Sequence, residues 1–404
     1  MKRPTFLLIG IGGVYNYGCE AIVRGTEAIL RSAYPDAEII YASRRLEDDQ
    51  RRLADLQIKI IERGKHHRYS PKNICRKILS MGGVQWDPRT DSLQLLKGVD
   101  AVFSIGGDLY TLGSSGSCSL SFAKFGDAAR RRDIPYILWG ASVGPFSQNP
   151  RIEKFFRDHL RRLSLITARE SATVDYLKEL GVGERVIPCA DPAFVVAPEI
   201  QANGTSGGDP FTIGVNLSPW SAKYTKYSLE ESISRQARCI EELIQATKAR
   251  VILIPHVVSN LGEGDDDLRY LQKVKQAMEP GYQATVTVLE SDPGFIGTKK
   301  ELLNCDILVA ARMHCAINAL AAGIPTIFVA YSRKAVGMAQ YVYGNHDWVV
   351  SLDQFMTENV LETKVQAMRN RNEEIRTLLA NRIPQIRQEA YRPIERLKAV
   401  LQAS

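Results

Sequence analysis

Short apolar runs recur along the chain, separated by polar, periodic stretches. Residues 5–11, 38–43, 57–61, 101–105, 135–140 and 163–168 are brief and rich in β-branched or aromatic side chains. Between most of them lie amphipathic stretches, and residues 20–33, 122–132, 152–163 and 171–180 predict helices. Strands that are apolar nearly throughout, alternating with helices, predict a parallel sheet covered on both faces. The pattern breaks between Pro198 and Pro210, around Asn203-Gly204-Thr205-Ser206-Gly207-Gly208-Asp209, a composition typical of a flexible linker. Alternation then restarts, with strands over residues 211–217, 250–254, 284–289, 306–310 and 326–330 and helices over 229–248, 265–278, 313–322 and 335–343. From Leu352 onward nearly all residues favour helix, with Pro384 and Pro393 as interruptions.

The fold class expected is therefore α/β, with two Rossmann-like doubly wound domains facing a cleft. The expected boundaries are 1–200 for the first domain, 210–350 for the second, and 351–404 for a helical segment that packs back to brace the first. In such sheets ligands bind outside the carboxyl ends of the strands.

Composition narrows the class of function. Of 404 residues, 45% are hydrophobic and 24% charged, an ordinary globular balance. No apolar run approaches the ~18 residues of a membrane span. The basic start Met1-Lys2-Arg3 leads into a short apolar stretch that meets Gly12-Gly13, which reads as a buried strand rather than an export signal. The seven cysteines are widely spaced with no Cys-x-x-Cys pair, so reduced thiols are expected, with neither a disulfide framework nor a zinc site. A net charge of +7 favours anionic partners but falls short of a nucleic-acid-binding signature.

The chemistry-bearing residues cluster at predicted strand ends. Residues 10–20 follow the first strand and open a helix, with Gly12, Gly13 and Asn16 in the turn. This is not the dinucleotide fingerprint, because Tyr15 stands where the third glycine belongs. It reads either as a tight turn or as an acceptor-binding loop. Gly106-Gly107-Asp108 and Gly140-Ala141-Ser142-Val143-Gly144-Pro145 end two more strands. Gly107 and Ser142 then join a shared binding floor, and Asp108 is either a hydroxyl-orienting acid or a solvated turn residue. Arg169 ends the strand before Glu170 and Ser171. It is placed to grip a carboxylate or phosphate bidentately, or else to pair with a neighbouring acid.

Arg312-Met313-His314 is the most informative segment, at a strand end beside a helix N-terminus. Arginine supplies a fixed cationic fork, and histidine supplies a proton near neutral pH. Lys334 follows the next strand and is expected at the same edge. His256 and the acidic Asp265-Asp266-Asp267 read as a solvated loop and helix start in preference to a metal site. Arg63, Lys65, Arg68, Lys72, Arg76 and Lys77 form a basic stretch, either a plain solvated face or a contact for an anionic membrane or a lipid pyrophosphate.

Taken in order, these segments resemble the polysaccharide pyruvyl transferase family. The resemblance is carried by Asn16-Tyr17-Gly18 with Glu20-Ala21-Ile22, Gly106-Gly107-Asp108, Gly140 to Pro145, Ala168-Arg169-Glu170-Ser171, Asp191-Pro192-Ala193-Phe194, Ile254-Pro255-His256, Arg312-Met313-His314-Cys315-Ala316, Gly323-Ile324-Pro325 and Tyr331 to Lys334. It implies a GT-B-like fold and a transfer of pyruvate from phosphoenolpyruvate to two hydroxyls of a sugar, forming a ketal and releasing phosphate. It also implies Arg169, Arg312 and, by a weaker match, Lys334 as phosphoenolpyruvate ligands and His314 as the catalytic acid; Asp108, read from its place at the strand end, is the second catalytic candidate. The first domain is expected to be the acceptor side, with contacts at Gly12, Gly13, Asn16, Gly107 and Ser142, and the second the phosphoenolpyruvate side. No metal or cofactor is expected, phosphoenolpyruvate being a co-substrate. The acceptor is a sugar of a cell-surface polysaccharide or its precursor, whether lipid-linked, nucleotide-linked or polymeric, and the expected location is the cytoplasm or the inner membrane face. The competing readings are a nucleotide-sugar glycosyltransferase on the same architecture and a non-catalytic two-lobed binding protein.

Overall fold

The computed structural model describes residues 3–63, 93–112, 120–196, 211–259, 265–331, 333–357 and 360–403. The expected linker lies outside them, as do Lys65, Arg68, Lys72, Arg76 and Lys77. The chain forms two compact units. The first comprises Met1–Val14, Ile22–Pro192 and Glu389–Ser404, the second Tyr15–Ala21 and Ala193–Gln388.

In chain order the first part runs β1 (Thr5–Ile9), α1 (Tyr17–Ala33), β2 (Glu38–Ser43), α2 (Leu46–Arg52), β3 (Lys59–Glu62), β4 (Ala101–Ile105), α3 (Ser121–Arg130), β5 (Tyr136–Ala141), α4 (Pro150–Leu160), β6 (Leu165–Ala168), α5 (Ser171–Glu179) and β7 (Val186–Pro188). The strands make one parallel sheet in the order β3-β2-β1-β4-β5-β6-β7. Every residue of β4 and β5 is buried, which explains their largely apolar sequence, whereas edge strand β3 carries exposed Lys59 and Glu62. Asn149 starts α4 by accepting from the Ile152 amide at 3.3 Å, with Pro150 at the first helical position. The core holds Phe103 edge-on to Trp139 at 5.5 Å and a buried polar chain in which His159 meets Asp127 at 3.1 Å and Tyr110 at 3.2 Å.

Arg63 does not belong to an exposed basic face. It is 5% exposed, its amide donates to the Ser43 carbonyl at 2.6 Å, and its guanidinium lies 4.7 Å from the Phe122 ring centroid. As the residue after β3 it turns its side chain into the core, where the aromatic face takes the charge.

The second part runs β8 (Thr212–Asn216), α6 (Pro219–Ala222), α7 (Leu229–Thr247), β9 (Arg250–Leu253), α8 (Asp267–Gln276), α9 (Pro280–Gln283), β10 (Val286–Val288), α10 (Gly294–Leu302), β11 (Ile307–Ala310), α11 (Met313–Ala321), β12 (Thr326–Ala330), α12 (Arg333–Tyr343), β13 (Val349–Ser351), α13 (Leu352–Thr357), α14 (Val360–Asn370), α15 (Asn372–Tyr391) and α16 (Ile394–Gln402). Its parallel sheet has the order β10-β9-β8-β11-β12-β13. Each unit thus repeats one doubly wound topology, with the strand order reversing between β1 and β4 in the first and between β8 and β11 in the second.

The C-terminal tail divides. Helices α13 and α14 pack on α7 in the second unit, and α16 packs on β6 in the first. Pro384 does not interrupt the tail but lies inside α15, and Pro393 separates α15 from α16. In the second unit Lys299 of α10 is fully buried, and its ammonium donates to the Val196 carbonyl at 2.7 Å. Burial, reinforced by Arg387, pushes its pKa down to about 7. The unfolded chain binds that proton up to an ordinary lysine pKa, so stability should rise with pH from about 7 towards 10. Lys299→Met is expected to raise the Tm near pH 7 and to remove this rise, as thermal unfolding from pH 6 to 10 will show.

Candidate active site

The loops after β8, β9 and β11 meet through Asn216, the last residue of β8. Its Oδ1 accepts from the Arg312 amide at 2.8 Å, and its Nδ2 donates to the Ile254 carbonyl at 2.9 Å. The bond to Ile254 is buried and that from Arg312 partly so, and the geometry of three strand ends rests on this one fully buried side chain.

Arg312 caps the start of α11 in an extended conformation, with no side-chain cap of its own. Its guanidinium turns to the start of α8, where Nη2 donates to Asp267 Oδ1 at 2.7 Å and Nε reaches the same oxygen at 3.2 Å. Nη2 also bonds Asp265. Asp267 is fully buried, and its Oδ2 accepts from the His256 and Val257 amides at 3.0 and 3.1 Å. Its position at the head of α8 favours the carboxylate further. Burial works against the charge on Arg312, but Asp267 and Asp265 outweigh it and raise its pKa above the usual arginine value. Arg312 is thus a permanently charged, rigidly aimed group, with Nη1 outside this clasp. The acidic run expected in a solvated loop is instead its anchor.

His314, the second residue of α11, packs against Gly18. A Cβ at residue 18 would lie 2.5 Å from His314 Nδ1 and 2.6 Å from Cγ. Gly18 is held there by its own segment. Its amide donates to Asn16 Oδ1 at 3.0 Å, Asn16 bridges antiparallel to Val257, and the Tyr17 amide donates to the His256 carbonyl at 3.0 Å. The Tyr17 hydroxyl donates to Asp292 at 2.6 Å, and Glu20 accepts from the Phe295 amide at 2.9 Å. Residues 15–21, the start of α1 included, therefore build the wall behind the histidine. Gly18→Ala should displace the imidazole and lower kcat at least tenfold without loss of native circular dichroism. Unchanged kcat in the folded variant would show that this packing does not set the histidine.

His256 is fully buried, edge-on to Tyr17 at 5.4 Å and to Phe295 at 5.8 Å. Burial, with His314 and Arg312 nearby, pushes its pKa well below the ordinary histidine value. It is a neutral neighbour of His314 and does not lie in a solvated loop. Lys334 is half-buried at the head of α12, following the adjacent strand β12.

In the first unit Arg169 is buried at the end of β6. Its Nη1 donates to Asp191 at 2.6 Å, and Nη2 lies 3.4 Å from the Ser142 hydroxyl. Ser142 donates in turn to Glu170 at 2.8 Å. Gly107 is a glycine because the guanidinium lies against its backbone, where a Cβ would come within 2.1 Å of Nη2. Arg169 is thus paired, with Asp191 as its principal partner. The electrostatic neighbourhood of Arg169 includes Asp108, which is exposed. Gly12 is exposed with open space at its Cβ position, whereas Gly13 is buried.

Sequence reasoning missed Asp265, Asp267 and Asn216 as site-builders. The acidic run was visible, but nothing in it told a buried carboxylate from a solvated one. Asn216 had a signal, a polar residue closing an apolar strand.

A family model described as polysaccharide pyruvyl transferase matches residues 16–333. Among curated proteins, the amylovoran biosynthesis protein AmsJ of Erwinia amylovora is 23% identical over 308 residues, covering 72% of this chain and 71% of that protein. Among solved structures, Anabaena HepE in complex with UDP and glucose superposes with a TM-score of 0.57 at 13% identity over the full length of both chains. The UDP-GlcNAc 2-epimerase of Neisseria meningitidis bound to UDP-GlcNAc gives 0.60 at 14% identity, covering 99% of this chain and 100% of that one. These likenesses fix the fold as GT-B-like, with two Rossmann-like domains. With the family model spanning most of the chain, the protein belongs to the polysaccharide pyruvyl transferase family.

Proposed function

We propose that this transferase moves the pyruvyl group of phosphoenolpyruvate onto two hydroxyls of one sugar in a cell-surface polysaccharide or its precursor, as a ketal, with release of phosphate. The observation that carries the reading is the fixed Arg312 cation one residue from the start of α11 and two from His314, at the carboxyl edge of the second sheet. Phosphoenolpyruvate carries a carboxylate and a phosphate and requires such cations. Arg312 and Lys334 supply them on adjacent strand ends.

In the proposed mechanism His314, as imidazolium, protonates the methylene carbon. The adjacent carbon becomes electrophilic and forms a bond to the first sugar oxygen. The bond to the phosphate oxygen breaks, and Arg312 and Lys334 steady the departing charge. A bond to the second sugar oxygen closes the ketal. One hydroxyl proton restores His314, and the other leaves with phosphate. Of the residues expected to meet the acceptor Gly12 is exposed, and so is Asp108, the residue expected to act beside His314. Arg169 serves in this proposal by fixing the loops around Gly107 and Ser142. Phosphoenolpyruvate is a cytoplasmic metabolite, which places the proposed reaction there. Among the described residues no helix is long and apolar enough to cross a membrane.

The test is phosphate release from phosphoenolpyruvate over a panel of saccharide acceptors, with mass spectrometry of the products. A pyruvyl adduct with matching phosphate supports the proposal. Nucleotide release from a UDP-sugar, with no phosphate release from phosphoenolpyruvate, would establish the glycosyltransferase reading instead.

A further inference from the structure

Immediately after β8, at the point where the second sheet reverses its strand order, the chain presents Trp220 and Tyr224 at 39% and 58% exposure. These are among the few large apolar side chains exposed anywhere in the described residues. Tyr224 stacks on Tyr331 with ring centroids 5.1 Å apart and an interplanar angle of 24°. Tyr331 follows β12 and lies within electrostatic reach of Arg312, Asp265 and Asp267. Lys223 sits 4.3 Å over the Trp220 ring. The Tyr224–Tyr331 pair therefore borders the Arg312 anchor inside one unit, with Trp220 four residues before Tyr224 in the chain.

Its composition points to one kind of occupant. Between Leu217 and Leu229 there is no acid, and the only apolar aliphatic residues are Pro219 and Ala222. The segment otherwise alternates aromatic rings, hydroxyls and lysines, with Lys223 and Lys226 outside every ion pair among the described residues. A lipid-inserting loop would add a cluster of exposed aliphatic side chains to its aromatic ones, whereas here Leu229, 47% exposed at the end of the segment, stands alone among the described residues. A surface of Trp and Tyr faces rimmed by hydroxyls and cations suits a ring that is apolar on its C–H face and polar at its edge.

We propose that Trp220, Tyr224 and Tyr331 form a sugar-binding platform that holds a non-reacting sugar ring of the saccharide acceptor, with Lys223 and Lys226 receiving anionic substituents. This deepens the proposed function and rests on it for the word acceptor, whereas the platform itself rests on Tyr224, Tyr331 and their place beside Arg312.

The experiment is saturation-transfer NMR of the full chain against lactose, cellobiose, maltose and a hyaluronan tetrasaccharide. Trp220→Ala, Tyr224→Ala, Tyr224→Phe and the pair Lys223→Gln with Lys226→Gln are compared with wild type. Each alanine variant is expected to weaken saccharide binding about two- to tenfold, the usual range for a lost ring stack. Tyr224→Phe should bind as wild type does, and the lysine pair should weaken the hyaluronan probe alone. Failure of the wild type to bind any of the four, or equal binding by the alanine variants, overturns the platform. So does wild-type binding to phosphatidylglycerol vesicles that Trp220→Ala abolishes, which would reassign the loop to a membrane surface. Thermal protection by phosphoenolpyruvate is read in the same samples. Saccharide binding without any such protection would leave the platform standing and count against the proposed donor.

Discussion

His314→Ala is expected to lower kcat by roughly a hundredfold to ten-thousandfold, the usual contribution of a positioned general acid. The fold should survive, because the imidazole lies on the outer turn of α11 while Cys315, Ala316 and Ile317 carry the buried face of that helix. Protonation of the methylene carbon is the step the variant lacks, so KM for phosphoenolpyruvate should change far less than kcat. His314→Gln keeps much of the shape and hydrogen bonding but cannot deliver the proton, and it should be as slow as alanine. The measurement is steady-state phosphate release with both substrates varied, alongside near-UV circular dichroism. Near-normal kcat in a folded His314→Ala protein would remove the residue from the chemistry. A large rise in KM with kcat preserved would make it a binding residue.

Much of the fold was legible because its strands are buried on both faces. β1, β4, β5, β8, β11 and β12 are almost wholly apolar and appear where the pattern places them. The strands not anticipated, Val186–Pro188 and Val349–Ser351, are three-residue edges, too short for either strand periodicity to register. Pro384 was misread because a proline usually ends a helix, yet α15 runs through it from Asn372 to Tyr391. The candidate site was legible at the level of motifs. Arg312 and His314 stood out because cationic groups at a strand end beside a helix start are suited to an anion. Their supports did not stand out, because they are set by tertiary contact. Gly18 lacks a side chain for the sake of an imidazole on a distant helix, and Gly107 for the sake of the Arg169 guanidinium. A local reading of either glycine finds only a turn.

The same tertiary logic makes Asp267 the most consequential residue outside the proposed chemistry. Its carboxylate satisfies the buried Arg312 guanidinium and two backbone amides at once. Asp267→Ala leaves a cation that is 12% exposed with only Asp265 as counter-charge, and two amides without an acceptor. Removing one partner of a buried ion pair typically costs about 3–5 kcal/mol. That loss should appear as a lower midpoint for the unfolding transition of the second unit in urea. A structural loss alone would be recovered by folding conditions. The aim of Arg312 would not, so KM for phosphoenolpyruvate should stay raised in Asp267→Ala protein held folded by sucrose. The double variant Asp267→Ala with Arg312→Met removes the stranded charge. It should be less destabilised than the sum of the two single variants, the excess being the coupling between them. Strict additivity would mean that the two side chains stabilise the unit independently, and the account of Arg312 as a cation aimed by Asp267 would fall with it.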